Sequence, residues 1–183
     1  MRDTMESHKE LMRSYLCESL RELMTRSLFE KITIKQICDR AGVIRATFYN
    51  YFDDKYDCLN AIVKLDLGTV TEEENIEQVI RNVLTTIEKN RAFYKAAYRV
   101  TGQNSFEDMV RGNLAASLKA FLELHRREDR LSRYSNDLLS RYYAECIAFD
   151  IREFVFHEEA VQGVEGMTHM VIDLMRNSLV DLL

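Results

Sequence analysis

The chain contains no proline and only six glycines among its 183 residues. Sheet proteins use both residue types in their turns, because proline fixes φ and glycine reaches positive φ. The sequence is instead rich in leucine, glutamate, arginine and methionine, which are good helix formers. We therefore predict an all-α chain, long enough for one large domain or two small ones.

Composition excludes several classes of protein. Hydrophobic residues make up 46% and charged residues 30%, which excludes a disordered chain. No apolar run approaches the roughly 18–20 residues of a membrane span, and the polar N-terminus is unlike a signal peptide. We expect a cytoplasmic protein without a membrane partner. The four cysteines are far apart, and we expect them to be small buried residues in a reducing compartment.

The net charge of −5 is unevenly distributed along the chain. Residues 31–52 carry four basic side chains against one acidic side chain, Asp39. The basic residues are Lys31, Lys35, Arg40 and Arg45. A basic segment in an acidic protein indicates a local binding surface for a polyanion.

The same segment has the pattern of a helix-turn-helix. Thr33 and Gln36 form a capping box, which predicts a helix from Ile34, and Gly42 is placed to end it. A second short helix follows over residues 45–51. It displays polar side chains on several sides, while Phe48 and Phe52 can anchor it inward. Such a helix suits the DNA major groove.

The stretch from Thr33 to Lys55 reads TxxQICxxAGVIRATFYNYFxDK. It resembles the DNA-binding signature of the TetR/AcrR family of bacterial transcription factors. Three positions depart from the family pattern. Ile44 replaces a capping serine, Cys38 replaces alanine, and Tyr51 replaces histidine. Ile44 cannot cap the second helix, so that helix is expected to start loosely.

The resemblance implies a domain organisation and a set of DNA contacts. It implies a three-helix helix-turn-helix domain over residues 1–54 and a helical regulatory and dimerisation domain over 55–183. Helix 55–67 would connect the two. Thr33 and Lys55 would contact phosphate, and the start of the recognition helix would face base edges. With Lys35 from the basic segment and Asn50 from the polar surface of the second helix, the predicted DNA-binding residues are Thr33, Lys35, Arg45, Ala46, Thr47, Tyr49, Asn50, Tyr51 and Lys55.

The remaining sequence predicts further helices over about 72–89, 90–100, 105–125, 135–156 and 166–183. The last two are more apolar than one core requires, and surplus apolar faces usually meet a partner. Burial inside a monomer is the alternative. Because the resemblance also implies a dimer at this position, we expect an interface formed by Leu139, Tyr143, Val171, Leu174, Met175, Ser178 and Leu182.

A ligand pocket is expected in the same half of the chain. Its predicted lining residues are Tyr94, Tyr98, Phe106, Tyr142, Tyr143, Phe149 and Asp150. Such aromatic residues also occur as ordinary core. Asp150 could receive a cationic ligand or pair with an arginine such as Arg141.

The sequence therefore predicts a homodimeric repressor that binds a palindromic DNA operator and is released by a small-molecule effector. The alternative is an activator or co-regulator whose C-terminal domain binds a partner protein. The four histidines form none of the metal-binding motifs of helical enzymes, and no phosphate-binding glycine loop is present. We predict no metal site, no cofactor, no catalytic residue and no enzymatic activity.

Overall fold

The computed structural model describes residues 2–68, 76–126, 133–157, 159 and 162–177, with side chains from Lys9 onward. These residues form helices and turns without a strand, which confirms the all-α prediction. A 3-10 turn over Phe29–Lys31 follows the first helix. The helices are α1 Arg2–Met24, α2 Ile34–Ala41, α3 Arg45–Tyr49, α4 Lys55–Leu67, α5 Ile76–Lys89, α6 Arg91–Ala97, α7 Phe106–His125, α8 Asn136–Phe156 and α9 Gly163–Arg176.

Helix boundaries follow the predicted capping residues. The Thr33 hydroxyl accepts a hydrogen bond from the Gln36 backbone N–H at 3.2 Å, and the Thr33 N–H donates to Gln36 Oε1 at 2.8 Å. Gly42 ends α2 with a φ of +69°, a conformation that costs glycine little. Asp54 accepts from the first backbone N–H groups of α4 at 2.7 and 2.9 Å. The capping box, the glycine stop and the Asp54 cap are thus confirmed.

Other boundaries differ from the sequence prediction. Helix α3 ends at Tyr49 rather than at residue 51, and α9 begins at Gly163 rather than at residue 166. The 3-10 turn was not predicted. The proposed helix start at residues 72–75 and the helix end at 178–183 lie outside the described residues.

The described chain forms two compact units. Unit 1 comprises the residues up to Leu65 together with Ala92–Phe106, and unit 2 comprises Asp66–Arg91 and the residues from Glu107 onward. This division differs from the predicted boundary at residues 54 and 55. Helix α6 belongs to unit 1, where the Arg21 guanidinium lies 4.7 Å from the centre of the Phe93 ring. Sequence order alone does not reveal that a later helix returns to an earlier unit.

Each unit has an apolar core. Fully buried side chains in unit 1 include Leu16, Leu20, Ile37, Phe48, Phe52, Leu59, Ile62, Phe93 and Phe106. In unit 2 they include Ile87, Phe154, Val155 and Met167. Cys17, Cys38 and Cys58 are buried as predicted, but Cys146 is exposed on α8. No helix in the described part of the chain is long and apolar enough to cross a membrane.

Candidate nucleic-acid interface

Helix α3 is anchored on one side and exposed on the other. Phe48 and Phe52 are essentially inaccessible to solvent, and their ring centres lie 5.5 Å apart. Arg45, Ala46, Tyr49 and Asn50 are exposed. The exposed set combines a guanidinium, an amide and a phenol beside a small methyl group. These groups can read hydrogen-bonding edges and thymine methyls in a major groove.

The N-terminus of α3 lacks a side-chain cap, as the sequence predicts. Ile44 occupies the N-cap position in an extended conformation and makes no capping hydrogen bond. Its side chain is 72% exposed, next to Arg45. An exposed β-branched side chain there can contact a thymine methyl. The apolar character of Ile44 at the start of the recognition helix is the sequence signal for this contact.

The other predicted DNA contacts differ in accessibility. Thr33 is exposed, and its hydroxyl is already engaged in the cap of α2. Lys35 is exposed and its ammonium lies 2.6 Å from Asp39 Oδ2. An exposed ion pair of this kind contributes little stability, so phosphate can replace the carboxylate. Thr47 and Tyr51 are half-buried and present less of their side chains to a partner.

Lys55, which is a predicted phosphate contact, forms hydrogen bonds within the chain. Its ammonium donates to the carbonyl oxygens of Phe29, Glu30 and Ile32 at 2.8, 3.1 and 3.0 Å. A lysine ammonium has three N–H donors, and all three are used here. The ammonium also lies 4.6 Å from the centre of the Phe29 ring. Lys55 therefore ties the start of α4 to the 3-10 turn, and its contact with phosphate stays a prediction.

The electrostatic environment of Lys55 agrees with a structural role. Burial lowers the pKa of Lys55 below its ordinary value, and the Glu30 and Asp54 carboxylates offset part of that shift. The half-buried ammonium is thus compensated by carbonyl dipoles and two carboxylates.

The two units differ in charge. Unit 1 carries 13 basic and 10 acidic side chains, whereas the rest of the chain carries 12 basic and 20 acidic side chains. The basic excess therefore lies in the unit that contains α3. This polarity favours a polyanionic partner for unit 1.

The sequence matches two family models. The model described as "Bacterial regulatory proteins, tetR family" matches residues 18–62, which include α2 and α3. A model described as "Transcriptional regulator C-terminal region" matches residues 74–151. The chain belongs to the TetR family. Members of this family are transcriptional regulators, so α2 and α3 form the DNA-binding helix-turn-helix of this TetR-family chain.

Two solved structures have a similar fold. One is "Dihydroxyacetone kinase operon activator DhaS", with a TM-score of 0.65, 19% identity, and coverage of 89% of this chain and 93% of that one. The other is a TetR-family transcriptional regulator from Syntrophomonas wolfei str. Goettingen, with a TM-score of 0.59, 17% identity, and coverage of 91% and 94%. No curated protein sequence matches this chain.

Unit 2 of this TetR-family chain contains an apolar cavity of about 90 Å³. Its lining comes from the end of α4 and from α5, α7, α8 and α9, with Asp150 as the one ionisable lining residue. Burial raises the pKa of Asp150 to about 6. Within the described residues Asp150 has no hydrogen bond or ion pair. Arg141, the partner that the sequence suggested for it, pairs with Asp137 at 3.2 Å.

The structure does not bring the predicted ligand residues together. Tyr94 and Phe106 are buried in unit 1, where the Tyr98 ring centre lies 5.1 Å from that of Phe106. These three form an ordinary aromatic core. In unit 2, Tyr142 and Phe149 are exposed and Tyr143 is half-buried. Of the seven predicted residues, Asp150 alone lines the cavity.

The residues predicted to form the dimer interface differ in their exposure to solvent. Leu139 and Val171 are buried within the chain, so they are not available to a partner. Leu174 and Met175 are exposed, Tyr143 is half-buried, and Ser178 and Leu182 lie outside the described residues.

Helix α8 instead exposes a neighbouring set of apolar residues. At 100° per residue this set spans about 80° of the helix surface. We call it the α8 stripe, and it consists of Leu138, Tyr142, Cys146, Phe149 and Phe156. Leu138 and Tyr142 are exposed, whereas their predicted neighbours Leu139 and Tyr143 are buried and half-buried. The sequence does not distinguish them because the members of each pair are adjacent and equally apolar.

Proposed function

We propose that this protein is a homodimeric transcriptional repressor that reads a palindromic operator through α3. The observation that carries this proposal is the exposed face of α3, with Arg45 and Tyr49 outward and Phe48 and Phe52 buried. Phosphate contacts from Thr33 and Lys35 would fix the register of α3, and base contacts from Arg45 would specify sequence.

Arg45→Ala tests this reading of α3. An arginine that contacts a base contributes about 1–3 kcal/mol, or about 5-fold or more in affinity, at each half-site. The proposed dimer loses this contact at both half-sites, so operator affinity should fall by about 25-fold or more. Specificity at one base-pair step should relax, because the discriminating contact is lost. Fluorescence anisotropy with the selected operator and its single-base variants measures both effects. Arg133→Ala, at an exposed arginine of unit 2, provides the matched control. Unchanged operator affinity in Arg45→Ala would refute the placement of Arg45 against a base.

A second copy of the chain is the proposed occupant of the α8 stripe. Five exposed apolar side chains in one line form a surface that soluble monomers rarely leave uncovered. Unit 2 is strongly acidic, which disfavours DNA as the partner of this surface. A twofold dimer through unit 2 would supply one helix-turn-helix for each half-site of a palindrome.

A compact cationic effector is the proposed ligand of the cavity in unit 2. A cavity of about 90 Å³ is smaller than one of about 150 Å³ that holds benzene, so a short alkylamine suits it. Its ammonium would neutralise Asp150, and its alkyl group would replace empty apolar space. Helix α4 begins at the Lys55 contacts and ends at Leu67, which lines the cavity. We propose that ligand binding shifts the position of α4 and so favours a conformation of the dimer that has lower operator affinity.

Asp150→Asn tests the electrostatic part of this proposal. The folded pKa of about 6 exceeds the ordinary value of 3.8, so ionisation of Asp150 opposes folding. The wild type should match the variant near pH 4 and lose stability relative to it as the pH rises to 6. Above pH 7 the variant should be more stable by about 2 kcal/mol. Urea denaturation across this pH range measures the difference, and a constant difference would contradict the assignment.

The same variant tests ligand chemistry. Isobutylamine should bind the wild type more tightly as pH rises through 6, because the carboxylate then ionises, and should bind Asp150→Asn weakly at every pH. Isobutanol, a neutral molecule of similar shape, serves as the control in calorimetric titrations. Equal binding of the amine and the alcohol would contradict a cation site.

An activator that binds a partner protein is the second candidate function. The structure with the TM-score of 0.65 is named an operon activator, and the cavity of this chain is small. In vitro transcription from a promoter that carries the operator distinguishes the candidates. A repressor lowers the transcript yield, whereas an activator raises it.

A further inference from the structure

Helix α6 presents a basic face on the outside of unit 1. Phe93, Tyr94 and Ala97 are buried on the inner side of this helix. Lys95 is exposed on the other side of α6, and Arg99 is exposed in the turn that follows α6, four positions later. These two residues supply two of the three excess positive charges of unit 1.

This basic face forms one wall of a groove. The opposite wall is the turn that follows α1, residues 24–30, and the groove has a volume of about 350 Å³. Arg26 on that turn faces the same groove as Lys95 and Arg99. Ser27 contributes a hydroxyl, and Glu30 is the one acidic side chain in the lining. The lining therefore carries three cations against one carboxylate.

The three cations lack protein partners. In the part of the chain that the structure describes, Arg26, Lys95 and Arg99 form no ion pair and no side-chain hydrogen bond. Other arginines are engaged: Arg40 pairs with Glu22, Arg81 with Glu77 and Glu165, and Arg111 with Asp108. Three like charges around one concave surface repel each other, and an anion between them would relieve that repulsion.

We propose that this groove binds phosphate groups. Guanidinium groups form paired hydrogen bonds with phosphate oxygens, and a lysine adds a point charge without a fixed geometry. Phosphate can come from two sources, the DNA backbone beside the operator or a free phosphorylated compound. Binding of the DNA backbone rests on the proposed function of unit 1, whereas binding of a free phosphorylated compound does not.

The first experiment measures operator affinity against salt concentration for the full-length protein and for Lys95→Gln/Arg99→Gln. Each lost phosphate contact lowers the slope of log affinity against log salt by about one. The double variant loses two contacts in each protomer, so the slope for the operator-bound dimer should fall by about four. Lys89→Gln/Lys119→Gln changes the net charge equally on exposed residues of unit 2 and should keep the wild-type slope. Thermal denaturation verifies that both variants are folded.

The second experiment titrates DNA-free protein with inorganic pyrophosphate by calorimetry. Wild type and the unit 2 control should bind it, and Lys95→Gln/Arg99→Gln should bind about tenfold more weakly. A change in the salt slope alone assigns the phosphate to DNA, and a change in pyrophosphate binding alone assigns it to a free compound. If neither quantity changes in the double variant, the proposal is wrong. If the wild type fails to bind any operator, the proposed function is wrong. The pyrophosphate titration alone then decides whether the groove binds phosphate.

Discussion

Phe149→Glu should convert the protein from a dimer to a monomer and should abolish tight operator binding. Phe149 lies within the α8 stripe and is 61% exposed in the single chain, so the substitution leaves the monomer fold intact. In the proposed dimer the new carboxylate would be buried without a partner, at a cost of about 3–5 kcal/mol. Light scattering measures the mass, and anisotropy measures operator affinity. Leu124→Glu, at a side chain 75% exposed on α7, is the matched control and should stay dimeric.

The reactivity of Cys146 provides an independent readout of the same interface. Cys17, Cys38 and Cys58 are buried. Burial raises the pKa of the Cys38 thiol, and a hydrogen bond with Cys17 together with burial raises the pKa of the Cys58 thiol, which keeps both unreactive. Cys146 is exposed in the single chain and lies inside the α8 stripe. Maleimide should therefore label Phe149→Glu quickly at one thiol and label the wild type slowly. Equally fast labelling of the two proteins, together with a monomeric wild type, would contradict the interface.

Lys55→Met should lower the free energy of unfolding by about 2–3 kcal/mol, because it removes a charged donor from three carbonyl oxygens. Methionine keeps the apolar stem against Phe29, so the loss reports the hydrogen bonds. Lys64→Met is the control, since Lys64 is exposed on the same helix. Urea denaturation measures both variants. If Lys55→Met has unchanged stability but a smaller dependence of operator affinity on salt, Lys55 contacts a DNA phosphate, as the sequence suggested.

The features predicted correctly from sequence depend on neighbouring residues. The capping box of Thr33 and Gln36, the positive φ of Gly42 and the Asp54 cap each involve groups within three residues of one another. The anchoring of α3 by Phe48 and Phe52 is also local, since the Phe52 N–H, just after α3, donates to the Phe48 carbonyl oxygen at 3.0 Å. The helix-turn-helix can therefore be predicted from the sequence alone.

The features missed from sequence depend on distant residues. The Lys55 acceptors lie 23 to 26 positions earlier in the chain, and no local pattern indicates them. The inner side of α8 is decided by packing within unit 2, because its apolar residues cover adjacent positions. Tyr94 and Phe106 lie in the core of unit 1 because residues 92–106 join the unit that contains α1. No local pattern indicates this long-range packing, so the sequence does not distinguish these residues from a pocket lining.

The central claim is that unit 1 reads a specific DNA sequence as a dimer. Selection of tight binders from a pool of randomised DNA duplexes by the wild-type protein tests it most directly. We expect an enriched sequence with two inverted half-sites, bound about 10³-fold or more tightly than unselected DNA at physiological salt. The enriched half-site should change or relax when Arg45→Ala is used instead. A pool that yields no enriched sequence, or a single unrepeated site bound by a monomer, would contradict the account.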